Sequence, residues 1–171
     1  MNKPLYHFFT NDHHRLDDLL NKATRNPGNM QMEFYQHFRT GLLKHIKMEE
    51  KILFPAAQKA NGDIPLPLAA KLRVDHGALT TLMVVPPSPE VIKVLRFVLD
   101  KHDLLEEEPG GMYDVCEKLT EGDTNDLLEQ LAKVTEVPVH PFNNEGYAMD
   151  VAKRTLLRAG FDFDAIVNDA A

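Results

Sequence analysis

Two short motifs alternate between residues 12 and 107, and their repetition limits what this chain can fold into. Asp12-His13-His14-Arg15-Leu16 is followed by His45-Ile46-Lys47-Met48-Glu49-Glu50. Asp75-His76-Gly77-Ala78-Leu79 is then followed by His102-Asp103-Leu104-Leu105-Glu106-Glu107. On a helix, residues i and i+4 share a face, so His45 points with Glu49 and His102 with Glu106. Phe9, His13, Leu16 and Leu20 form one helical stripe, and Leu72, His76, Leu79 and Met83 repeat it at the same intervals. The histidines therefore sit on inward faces, where a polar group needs a partner. A lone histidine in such a place is ordinarily a satisfied core residue. Four at repeated positions, two with a carboxylate one turn later, form a donor set for a pair of transition-metal ions.

Turn signals divide the chain. Asn26-Pro27-Gly28-Asn29, then Asn61-Gly62-Asp63 with Pro65 and Pro67, then Pro86-Pro87-Ser88-Pro89 separate helical patterns over 5–25, 30–60, 66–84 and 89–107. Valine and isoleucine show no strand alternation, so no sheet is expected. The expected fold is all-α: an up-down-up-down four-helix bundle over residues 1–115, with a C-terminal helical extension over 116–171. Glu108-Pro109-Gly110-Gly111 should end the fourth helix beside its own Glu106. Shorter helices are expected at 111–121, 124–135 and 144–159, with Val137 to Pro141 extended. Ala148, Val151, Ala152, Thr155 and Ala159 give the last of these a small-residue face, suited to close packing on the bundle or on another subunit.

At 171 residues the chain can bury a core without staples. Its single cysteine, Cys116, excludes an internal disulfide framework and iron–sulfur ligation by four thiolates. A net charge of -7 without a basic cluster argues against nucleic acid and anionic membrane surfaces as partners. The N-terminal residues lack the apolar core of a signal peptide, and no apolar run is long enough to span a bilayer. The chain reads as a cytoplasmic protein.

With those motifs in place, the chain resembles the hemerythrin-like, or HHE cation-binding, domain family. The resemblance covers about residues 5–115. It rests on Asp12-His13-x-x-Leu16, His45-x-x-x-Glu49-Glu50-x-x-Leu53-Phe54-Pro55, Asp75-His76-x-x-Leu79 and His102-x-x-x-Glu106-Glu107. It implies a non-haem di-iron centre, with zinc or another divalent metal as a substitute. His13 and His45 would hold one iron and His76 and His102 the other, with Glu49 and Glu106 bridging. Glu107 is a rival to Glu106, since the family's oxygen carriers use the longer spacing there, with Asp. Leu72 stands where those carriers have a further histidine, which leaves the site one nitrogen poorer. The roles implied are binding of a small ligand such as dioxygen or nitric oxide, in sensing or scavenging. A di-iron enzyme (oxidase, peroxidase-like or iron-donating) and a purely structural metal are the alternatives; a ligand-binding metalloprotein is the expectation.

The remaining polar residues read more plainly. His14 is expected in solvent, His7 and His140 at the surface, and His37 in a polar contact on a neighbouring face. Tyr6, Tyr35 and Tyr113 could reach the centre, but the expectation is that they pack with their hydroxyls at water. Asp12 and Asp75 either orient a ligand histidine or are solvated. Glu50 and Glu107 are expected to face outward.

Overall fold

The computed structural model describes residues 2–26 and 28–169, so Pro27 in the first expected turn lies outside them. Every regular element among the described residues is helical, and none is a strand. In chain order these are α1 (Pro4–Ala23), α2 (Met32–Met48), a π-helical segment (Glu49–Leu53), α3 (Phe54–Ala60), α4 (Ala69–Leu82) and α5 (Pro89–Glu107). They continue with α6 (Met112–Leu119), a 3-10 turn (Glu121–Asp123), α7 (Thr124–Ala132), α8 (Gly146–Ala159) and α9 (Phe163–Asn168). No described helix is long and apolar enough to cross a membrane.

The chain divides into two compact units, each built from two separate stretches. The first comprises Met1–Ala69 and Leu104–Val139. Here α1 packs on α2, α6 and α7, and α3 packs on α6. Its core includes Leu5, Phe9, Leu20, Phe38, Leu53 and Phe54, all essentially inaccessible. Pro4 sits in the first turn of α1, where a missing N–H costs nothing. That end has no side-chain cap of its own. Instead the Tyr6 backbone N–H donates to Glu117 on α6 at 2.9 Å, so one helix supplies the cap of another.

The expected helix over 30–60 is present, but it widens in the middle. The Phe54 N–H donates to the Glu49 carbonyl, five residues back. Pro55 explains the position of this π turn. A proline has no N–H to give and its ring crowds the carbonyl four residues earlier, here that of Lys51. The wider turn moves that carbonyl aside and lets the chain stay helical through Pro55. Later in the chain, α5 stops at Glu107, as the Pro109-Gly110-Gly111 run requires. Gly110 has φ +83°, and a Cβ on Gly111 would lie 2.7–2.8 Å from the carbonyl oxygens of Leu105, Glu106 and Glu108. The backbone thus folds tightly over the last turn of α5 before starting α6.

The second unit comprises Ala70–Asp103 and His140–Ala171. Leu72, Leu79, Leu82, Val94, Leu95, Val98, Ala152 and Leu156 fill its core at 0% exposure. The small-residue face of α8 packs inward within this unit: Ala148, Ala152 and Ala159 are buried, and Thr155 bonds its hydroxyl to that of Thr81 on α4. Gly160, with φ +89°, ends α8, and the Phe161 N–H returns to the Leu156 carbonyl. Two lysines satisfy exposed helix ends: Lys71 donates to the Ala159 carbonyl, and Lys93 to those of Val167 and Asp169. The short helix α9 is one that periodicity did not single out. Its signals were local, a left-handed glycine before it and Asp162 at its start, whose carboxylate accepts from the Ala165 N–H.

Candidate metal centre

In the first unit, α1, α2 and the end of α5 bring His13, His45, Glu49 and Glu106 together. One donor atom from each lies within 4.8 Å of all the others. Glu49 and Glu106 are fully buried, and His13 and His45 are 8% and 1% exposed. The two Nε2 atoms are 2.9 Å apart. His45 Nε2 is 3.2 Å from Glu49 Oε1, and His13 Nε2 is 3.5 Å from Glu106 Oε2. For bonds of about 2.1 Å, donors at right angles around a cation stand about 3.0 Å apart. The spacings are therefore compatible with a coordination shell. The chemistry of the set fits as well. Two carboxylates buried from water are costly unless a positive charge lies between them.

The far nitrogen of each histidine is also held. His13 Nδ1 is 2.6 Å from Glu107 Oε1 on α5, and His45 Nδ1 is 2.9 Å from Asp12 Oδ2 on α1. An Nδ1–H donated to a carboxylate leaves the Nε2 lone pair facing the cluster, the tautomer a metal needs. Arg15 braces Asp12 at 2.7 Å. In the second unit, His76 and His102 are 2% and 3% exposed, with their Nε2 atoms 3.2 Å apart. His102 Nδ1 lies 3.5 Å from Asp75 Oδ2, and Lys71 pairs with the other Asp75 oxygen.

Charge in the first cluster is strongly coupled. Burial pushes the His45 imidazolium down, but the Glu49 and Asp12 carboxylates more than offset this and raise its pKa to about 10. Burial pushes Asp12 up, while its bonds to His45 and Arg15 outweigh that and lower it to about 2. Burial, reinforced by Glu49 and Glu106, pushes the Cys116 thiol well up, so it remains protonated and offers no thiolate.

All six expected residues are buried, four in one cluster and two as a pair in the other unit. Of the rivals on α5, Glu106 enters the cluster. Glu107 does not face outward as expected: it is half-buried and grips His13 from outside. Its use depends on where α1 lies beside α5, which the periodicity of α5 alone cannot report. Glu50 is half-buried. Asp12 and Asp75 take the orienting role rather than the solvated one. His7, His14 and His140 are exposed as expected. His37 is exposed too, on a groove of about 750 Å³ that also reaches Asp12 and Lys44.

The tyrosines depart most from expectation. Tyr35 is fully buried on Phe38, and burial raises its pKa to about 12. Tyr6 is half-buried and donates to the Glu107 carbonyl at 2.9 Å. Tyr113 is 1% exposed, and its hydroxyl lies inside the cluster, 2.6 Å from Glu49 Oε1 and 3.0 Å from Glu106 Oε2. The sequence signal for it was the glycine pair just upstream, which allows a reversal short enough to aim residue 113 back at Glu106. No curated protein and no solved structure matches the chain. The family model described as the Hemerythrin HHE cation binding domain matches residues 5–133, which takes in α6 and α7 beyond the motifs themselves.

Proposed function

Because the chain belongs to the hemerythrin HHE cation-binding family, we propose that it is a metalloprotein whose non-haem pair of iron ions takes dioxygen, nitric oxide or another small ligand. The observation that carries this is the buried set of His13, His45, Glu49 and Glu106, with both histidines locked from behind by carboxylates. In this reading His13 and His45 would hold one ion and His76 and His102 the other, with Glu49 and Glu106 as the carboxylates they would share. The duplicated motif supports the second half, as does the matching approach of the His76 and His102 Nε2 atoms. The same reading arranges α1, α2 with α3, α4 and α5 as an up-down-up-down bundle, with residues 116–171 as its extension. The chain order and short connections support that arrangement.

Imidazole with carboxylate suits iron and also zinc or another divalent metal, so the bound species depends on supply. When bound, the ions supply open coordination positions and electron exchange. The chain's own residues do the rest. Asp12, Asp75 and Glu107 fix histidine tautomers, Glu49 and Glu106 balance charge, and Phe9, packed against His45, keeps bulk water away. Protein reconstituted with ferrous iron under argon is expected to hold about two irons per chain. Its visible absorption should change on exposure to air or to nitric oxide. No stoichiometric iron after careful reconstitution overturns the reading.

A further inference from the structure

We propose that the Tyr113 phenol oxygen is a fifth donor atom, beside His13, His45, Glu49 and Glu106, to the ion held by His13 and His45; this rests on the metal-binding reading above. The hydroxyl is 2.6 Å from Glu49 Oε1, 3.0 Å from Glu106 Oε2, 3.0 Å from His13 Nε2 and 3.2 Å from His45 Nε2. A phenol has one proton and cannot satisfy four such neighbours by hydrogen bonding alone. The spacings fit donor atoms gathered round one cation. Glu106, His13, His45 and Glu49 follow one another at 3.5, 2.9 and 3.2 Å. The phenol oxygen lies 2.6–3.2 Å from all four. Five donor atoms from five residues thus converge on one buried point, and the phenol oxygen is close to all of the other four. On binding, the O–H bond gives way to an oxygen–metal bond, and the proton leaves to solvent.

The ring is positioned for this from several sides. It stacks on Phe9 at 5.2 Å between centroids and meets the edge of Tyr6 at 6.3 Å. Helix α6 is fastened to the start of α1 by Lys3 on Asp114 at 2.6 Å and by Glu117 on the Tyr6 N–H. Asp114 also accepts from the Gly110 N–H at 3.0 Å. The close fold of Gly111 over the end of α5 sets how far Tyr113 reaches. Fixed in this way, the phenol pays little ordering entropy on binding a metal, which is the condition for an effective ligand. It adds an oxygen donor on the His13–His45 side, which histidine and carboxylate motifs alone do not reveal.

The test is resonance Raman and visible spectroscopy of the full chain loaded with iron and oxidised to the ferric state, with iron content measured on the same samples. A ferric phenolate gives a visible charge-transfer band that enhances tyrosine ring vibrations. The wild type is expected to show that band, and Tyr113→Phe to lose it while still binding iron, at least tenfold more weakly. Tyr6→Phe should keep it, because the Tyr6 hydroxyl is engaged elsewhere. Iron-loaded wild type without a phenolate band overturns the proposal however Tyr113→Phe behaves, and leaves the metal reading standing. A band that survives in Tyr113→Phe overturns it too. Failure of the wild type to bind iron overturns both.

Discussion

Each Asp-His pair divides its work between two helices. The histidine turns inward, and the aspartate, about 100° further round the helix, reaches the histidine of the following motif. Asp12 thus serves His45 and Asp75 serves His102. Replacing Asp12 with Ala is expected to weaken metal binding about 10–100-fold, because the imidazole loses both its tautomer and its orientation. His14→Ala, beside it but exposed, should leave affinity unchanged. Competition against a chromophoric chelator measures both. The same pair sets a pH dependence in the metal-free protein. His45 is raised from 6.5 to about 10, so its contribution is complete below pH 6.5 and fades as pH rises toward 10. Asp12 is lowered from 3.8 to about 2, so its contribution is complete above pH 3.8 and fades as pH falls toward 2. The melting temperature of chelator-treated protein should therefore fall between pH 6.5 and 9. A rise over that range would show that this pair does not govern the alkaline limb.

At the scale of elements, the two carboxylate ligands sit at irregular points of their helices. Glu49 opens the π turn before Pro55, and Glu106 is one residue from the end of α5. Gly111 makes the second of these possible. Gly111→Ala would set a methyl against three backbone carbonyls and is expected to cost about 1–3 kcal/mol. Gly77→Ala is the matched control. Nothing lies within 4 Å of its added Cβ, and its helical site should gain about 0.5–1 kcal/mol. Urea denaturation should give these two changes opposite signs. Much of this level was legible beforehand. The stripe of Phe9, His13, Leu16 and Leu20 is buried, α5 runs over the expected residues, and it breaks where proline demands. What escaped depends on how one helix meets another. Glu107 looks solvent-facing on its own helix until α1 is beside it, and Tyr113 reaches the cluster only through a turn whose dihedrals no periodicity encodes. The π turn was missed because a helical pattern cannot show one extra residue unless the proline after it is read as a constraint.

For the molecule as a whole, metal binding and folding share one free energy. Removing the metal is expected to leave the helical circular dichroism largely intact, since the aliphatic cores do not include the ligands. The melting temperature should nevertheless drop. With free metal at 1,000 times its dissociation constant, the lost stabilisation is about 4 kcal/mol, roughly 8–16 °C for a chain of this length. A calorimetric scan with and without chelator decides it, and unchanged melting would mean the ligands bind nothing in the native state. Neither compact unit is a continuous stretch of chain, and that has a consequence during synthesis. His13, His45 and Glu49 leave the ribosome well before Glu106 and Tyr113 do. At about 5–20 residues per second the interval is roughly 3–13 s. Throughout it the nascent chain has the two histidines of the cluster but only one of its two carboxylates. The buried four-residue cluster can therefore be completed only once Glu106 has emerged, long after its first three members.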